Sequence, residues 1–195
     1  MSVSERAVFT VLLLVLEVTI CYEYLFLLMQ IILKIELVKL YKRPNGDFDF
    51  EKFAQILVED RHLITINYYS ALPDSSRSNI SPFKEEKFLI NILIRKRNFR
   101  VQIGYYDIEH NVEKGTDVNL AVDMLNGAYH NAYDIAIIVS ADQDYKKVID
   151  TIRDMGKIVE LALPENAKAG ELVKCTDYFK RLTNKELEDC WIKSE

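Results

Sequence analysis

Two aspartates follow directly on a uniformly apolar stretch, where Ile135 to Val139 (IAIIV) runs into Ser140-Ala141-Asp142-Gln143-Asp144. In open parallel sheets, ligands bind outside the carboxyl ends of the strands, so a turn carrying Asp142 and Asp144 there makes an acidic pocket edge. A second group, Glu113-Lys114-Gly115-Thr116-Asp117, is followed by Asp123. Carboxylates that converge on one point repel one another and resist joint ionisation. A hard cation such as Mg²⁺ or Mn²⁺ relieves that repulsion, takes oxygen ligands and activates water for in-line attack on phosphate. The competing reading is structural. Asp142 or Asp144 caps the next helix, as does Thr116 or Asp117, and a helix start needs only one cap. Asp123 lies about 600° beyond Asp117 on a straight helix, so the two do not share a face.

Other chemistries find little support. His62, His110 and His130 are scattered singly, and Cys21, Cys175 and Cys190 show no CxxC spacing. Zinc, a histidine triad and a disulfide framework are all disfavoured, and a reducing, cytoplasmic setting is the default. The 195 residues carry 25 basic and 30 acidic side chains, a formal charge of -5. That balance excludes a broadly basic nucleic-acid coat but not a local basic groove. The length and the 49% hydrophobic content suit one folded domain with a substantial core.

Several elements must position these acids. Asp49 to Glu59 reads as an amphipathic helix with Phe50, Phe53, Ile56 and Leu57 on one side. Leu63 to Tyr69 reads as a strand and Pro73 to Pro82 as a polar loop. A helix is expected from Phe83 to about Lys96, ending in the basic cluster Arg95, Lys96, Arg97 and Arg100. That cluster is either a solvated helix end or a rim that contacts phosphate. Phe99 to Tyr106 is a further strand candidate, and LAVDMLNGAY lies on a helix capped by Thr116 or Asp117. Ile135 to Val139 is a buried strand. Asp144 to Met155 is helical, with Gly156 as its cap, Lys157 to Leu163 is a strand, and Ala169 to about Leu182 is a last helical region. Strands alternating with helices imply an α/β domain with a mainly parallel sheet. Tyr68, Tyr69, Tyr105 and Tyr106 are either base-stacking or packing residues. Trp191 is expected to be a packing anchor and Cys175 a small buried hydrophobe.

The N-terminal third is harder to place. From Ala7 to Tyr41 the chain is almost wholly apolar, interrupted before Lys34 only by Glu17, Glu23 and Gln30. One reading is a buried strand from Ala7 to Val15 followed by a helix to about Tyr41. The other is a membrane segment over residues 7–33. A signal peptide fits poorly, since Arg6 is the only cation ahead of the run and no small-residue cleavage pattern follows.

The ordered series KGTDVNLAVDML, YDIAIIVSADQDY and GKIVELALP resembles the NYN (LabA-like, formerly DUF88) family of the PIN-like nuclease superfamily. The resemblance runs from about Leu63 to Leu182 and implies a three-layer, Rossmann-like PIN fold with metal-dependent RNA cleavage. It would place Asp117, Asp142 and Asp144 at the acidic metal positions and Asp123 at a further family carboxylate. Lys114 and Ser140 would match the flanking polar positions. The implied cofactor is Mg²⁺ or Mn²⁺ and the implied partner is RNA. A homo-oligomer is a further expectation, and a membrane enters only if residues 7–33 insert. The chain then divides into an apolar segment at 1–41, the domain at 47–183 and a C-terminal tail at 184–195.

One departure matters. The family's first strand ends in an Asp, usually followed within a few residues by Asn, whereas Arg6-Ala7-Val8-Phe9 continues here as Thr10-Val11-Leu12-Leu13-Leu14. A missing ligand should weaken metal binding, because Mg²⁺ tolerates poor geometry badly. Codons for Leu16-Glu17-Val18-Thr19, read one base earlier, can encode Gly-Ser-Asn, so a shifted frame is one account of the stretch. Two functions follow as expectations: an NYN-type metal-dependent ribonuclease, or a catalytically impaired NYN-like module that binds RNA or protein. A dehalogenase-like phosphatase built on Asp142-Gln143-Asp144 is disfavoured, because too little chain follows Asp144.

Overall fold

The computed structural model describes residues 25–30, 48–73, 83–110, 112–168 and 170–192. Its strands are β1 (Leu25–Gln30), β2 (Leu63–Leu72), β3 (Phe99–Asp107), β4 (Val112–Lys114), β5 (Ile135–Val139), β6 (Ile158–Pro164) and β7 (Tyr178–Leu182). The helices are α1 (Phe50–Val58), α2 (Phe83–Leu93), α3 (Thr116–Tyr129), α4 (Lys146–Asp154) and α5 (Asn184–Glu188). The sheet order is β4-β3-β2-β1-β5-β6-β7, and only β3–β4 is antiparallel. All strands but β4 therefore end at one edge of the sheet, where an α/β fold puts its chemistry.

Helices cover both faces. On one, Phe53, Leu57, Leu89 and Leu93 of α1 and α2 pack with Ile66, Tyr68 and Ile137 of the sheet. On the other, Leu120, Met124, Ile149 and Ile152 of α3 and α4 pack with Tyr69, Ile138 and Leu161. β2 and β5 are buried along almost their whole length, which is why they read as near-continuous apolar runs. The expected α/β class, with a parallel-rich sheet between helical layers, is the one observed.

Two expectations are corrected. Within the N-terminal segment, residues 25–30 are expected as helix but form β1, hydrogen-bonded in parallel to both β2 and β5. A run apolar on every side has no period to tell strand from helix, and here a strand with two partners satisfies its backbone at the centre of the sheet. The strand expected over Ala7–Val15 lies outside the described residues, as does most of the proposed membrane segment. Among the described residues no helix is long and apolar enough to cross a membrane. The second correction is the last helical region. Only the 3₁₀ turn Gly170–Lys174 is helical there, and Tyr178–Leu182 is the edge strand β7, paired with Glu160–Pro164.

Within the segment expected as a tail, the described residues 184–192 include three that pack into the core. Thr183 caps α5 through a reciprocal capping box with Glu186. Beyond it, Phe48 forms a bridge with Trp191, their rings 5.2 Å apart edge to face. Leu187, Cys190 and Trp191 are buried, and burial pushes the Cys190 thiol up to about 12.

Candidate active-site edge

The candidate residues gather where the strands end. Ser140 follows β5 directly and is buried, and its Oγ accepts a hydrogen bond from the Asp142 N–H at 3.3 Å. Asp142 Oδ1 in turn accepts from the Asp144 N–H at 3.0 Å, capping the 3₁₀ turn Gln143–Tyr145 that leads into α4. One of this pair therefore caps, and Asp144 is left exposed.

Asp117 and Asp123 take their places from α3. Neither Thr116 nor Asp117 caps that helix. Gly115 holds the N-cap position with φ of 86° and no side-chain cap bond, a left-handed geometry that glycine adopts without penalty. Gly104 lies beneath this turn. A Cβ there would stand 2.6 Å from the Lys114 carbonyl oxygen, so the close approach of β3 to the start of α3 requires glycine. Asp117 is exposed, and its Oδ1 accepts from the Tyr145 hydroxyl at 2.9 Å. This bond links the Lys-Gly-Thr-Asp segment to the Ser-Ala-Asp-Gln-Asp segment. Asp123 is half-buried, and its Oδ2 accepts from the Tyr69 hydroxyl at 2.9 Å. Burial, reinforced by the Asp123 charge, drives the Tyr69 phenol far above its usual range, so it stays a donor.

Lys114 stands on β4, and its ammonium binds Asp107 Oδ2 at 3.0 Å rather than an acid of the candidate site. His110 contacts the same oxygen at 2.9 Å. Arg95, Arg97 and Arg100 are exposed at the opposite edge, where β3 begins, while Lys96 pairs with Glu51 at 2.5 Å. Acidic and basic features thus sit at opposite ends of the sheet.

Three functional candidates escape a reading by residue type. Tyr69 and Tyr145 hold the two α3 aspartates, a partnership that neither the stacking nor the packing reading of Tyr69 anticipates. Glu86 is buried on α2 and accepts from Ser70 Oγ at 2.6 Å and the Tyr68 hydroxyl at 3.1 Å. Its spacing to Leu89, Ile90 and Leu93 puts it on the apolar stripe of that helix, and that spacing is the signal that could have found it.

The NYN domain family model matches residues 35–183. The chain belongs to the NYN domain family. It shares its fold with the crystal structure of a protein of unknown function from Vibrio parahaemolyticus, at 18% identity and a TM-score of 0.64. That match covers 84% of this chain and 95% of the other. No curated protein matches the chain. Membership in the family suggests a nuclease-like, RNA-related function.

The metal that this NYN domain's kinship implies can be tested against its donors. Asp117, Asp142 and Asp144 offer the hard oxygens that Mg²⁺ or Mn²⁺ prefers. The Tyr145–Asp117 bond ties their two segments to one edge. Among the described residues no three Asp, Glu, His or Cys side chains stand together as a metal site. Asp117 and Asp123 are each engaged by a tyrosine and Asp142 by a backbone N–H. β1, the strand central to the edge, ends in Gln30, level with Tyr69 and one residue past the Met29–Val139 pair.

Proposed function

We propose that this NYN domain is an RNA-binding, nuclease-like module in which phosphodiester cleavage is impaired. One observation carries the reading: β1, which lies between β2 and β5 and runs toward the acidic edge, has no carboxylate among its residues LFLLMQ, whereas the family resemblance leads one to expect an Asp at the end of the first strand. Without a carboxylate there a divalent cation has one hard ligand fewer, which weakens its binding. RNA would meet the exposed Arg95, Arg97 and Arg100 by its phosphates, a contact that supplies affinity without sequence preference and weakens with salt.

The second reading is a working metal-dependent ribonuclease with Asp117, Asp142 and Asp144 holding Mg²⁺ or Mn²⁺, Asp123 as a further carboxylate, and Lys114 and Ser140 beside them. It is favoured by the hydrogen bond from Tyr145 to Asp117, which brings both acidic segments to one edge. RNA binding and RNA cleavage in Mn²⁺ and Mg²⁺, for wild type and Asp142→Asn, separate the two. The expected result is salt-sensitive binding, with cleavage at background in both proteins. Metal-dependent cleavage that Asp142→Asn abolishes would establish the second reading. Loss of all RNA binding in a folded protein removes both.

A further inference from the structure

We infer that the outer face of α3 joins two copies of this chain in an antiparallel, two-fold contact. The helix carries Val118, Val122, Leu125 and Tyr129 at steps of four, three and four residues, the spacing of a coiled-coil seam. The inner face is already occupied, since Leu120, Met124 and Ala128 are buried against the sheet. On the outer face Val118 is 63% exposed, Val122 55% and Tyr129 77%; Leu125, half-buried, completes the row at its edge while packing in part against the inner core. Single exposed apolar residues are ordinary, but an aligned row along a helix marks a contact surface.

Charge and symmetry select a second copy as the occupant. Between Val118 and Tyr129 the only charged residue is Asp123, which is turned to Tyr69. On α4, the neighbouring helix of the same layer, Lys146, Lys147, Arg153 and Asp154 are all exposed. Two chains of charge -5 repel, and an uncharged face is where they can meet at least cost. In an antiparallel pair about a point between Val122 and Leu125, Val118 meets the copy of Tyr129 and Val122 meets the copy of Leu125. Each smaller side chain faces a larger one, which fills the seam without voids. Asn119 and Asn126 flank the stripe on one side, so the two-fold sets Asn119 opposite the copy of Asn126. An amide both donates and accepts and so complements its own kind.

The 14-residue helix spans about 21 Å. A seam of that length is at the small end of specific interfaces, so association should be weak and concentration-dependent. The inference stands apart from the RNA reading, because none of the seam residues belongs to the acidic edge. Sedimentation velocity of the full chain from ~5 to ~200 µM, a range that brackets a dissociation constant on the order of tens of micromolar, tests it with Val122→Glu, Tyr129→Ser and the α4 control Lys147→Glu. Wild type and the control should shift from monomer to dimer, while the seam variants stay monomeric with an unchanged thermal transition. Should Val122→Glu fail to fold, Tyr129→Ser carries the comparison, since so exposed a side chain leaves the core intact. A wild type that stays monomeric throughout overturns the inference. So does a folded seam variant that dimerises like wild type, or growth into open-ended oligomers.

Discussion

Tyr69 stands between two demands, filling the core under α3 and offering its hydroxyl to Asp123. Replacing it by Phe keeps the ring and removes the donor, leaving a half-buried carboxylate short of a partner. Such a loss costs about 1–3 kcal/mol, because the stranded group keeps its desolvation penalty. Urea denaturation of Tyr69→Phe should show that drop, with an unchanged slope if the fold is intact. A stability equal to wild type would mean that water replaces the phenol and that Asp123 is not held from within. Single residues are unevenly legible in the sequence. A cap by Asp142 or Asp144 can be anticipated, because an acid after a strand and before a helix has a local job. That Tyr145 reaches Asp117, 28 positions away, cannot, because a tyrosine hydroxyl carries no pattern until the backbone has brought its partner near.

At the scale of elements, the β3–β4 hairpin shows how a local charge cluster sets up the approach to α3. Asp107 accepts from the backbone N–H groups of Glu109 and His110 and from the side chains of His110 and Lys114. The bond from His110, then that from Lys114, holds the Asp107 carboxyl well below its ordinary range. A carboxylate depressed on folding contributes order that is present above the ordinary value of ~4 and lost as pH falls through the depressed one. Protection factors of the amides in residues 107–110 and 112–114, exchange corrected for its intrinsic slowing in acid, should therefore fall as pH drops below ~4, while the core stays protected. Asp107→Asn should exchange faster at neutral pH and lose the acid dependence. If the hairpin of that variant behaves like wild type, the cluster does not order it. Elements with a clear period or clear punctuation, such as α1 with its Asp49 cap or β5 with its five apolar residues, are legible from the amino-acid pattern alone. β7 is not. Tyr178-Phe179-Lys180-Arg181-Leu182 has too few residues to show a period, and its conformation comes from pairing with β6 and from Arg181 binding the carbonyls of Pro164, Glu165 and Ala167.

For the whole molecule, the alternation of strands and helices discloses the layered architecture, because each crossover between parallel strands returns the chain to the edge where those strands begin. Trp191 is legible as a packing anchor and is one, but the short polar helix before it looks like an appendage and gives no sign that it helps close the far side of the core. In the folded chain Phe48, Phe50 and Trp191 form a linked aromatic group, and the Asp49 N–H bonds the Cys190 carbonyl at 2.8 Å. Lys52 also binds the carbonyl of Asp189, so both sides of the contact are tied by hydrogen bonds as well as packing. The family match ends at residue 183, yet the folded unit runs on to the buried Trp191. Trp191→Ala should cost about 3–5 kcal/mol, as large-to-small core changes do. That is a large share of the ~5–15 kcal/mol that holds a domain of ordinary stability. A chain cut after Thr183 loses Leu187 and Cys190 as well, and uncovers Phe48 and Phe50. It should melt far below the full chain or fail to melt cooperatively, by circular dichroism and calorimetry. A truncated chain with the melting profile of the full one would show that the core closes without these residues and that the domain ends where the family match does.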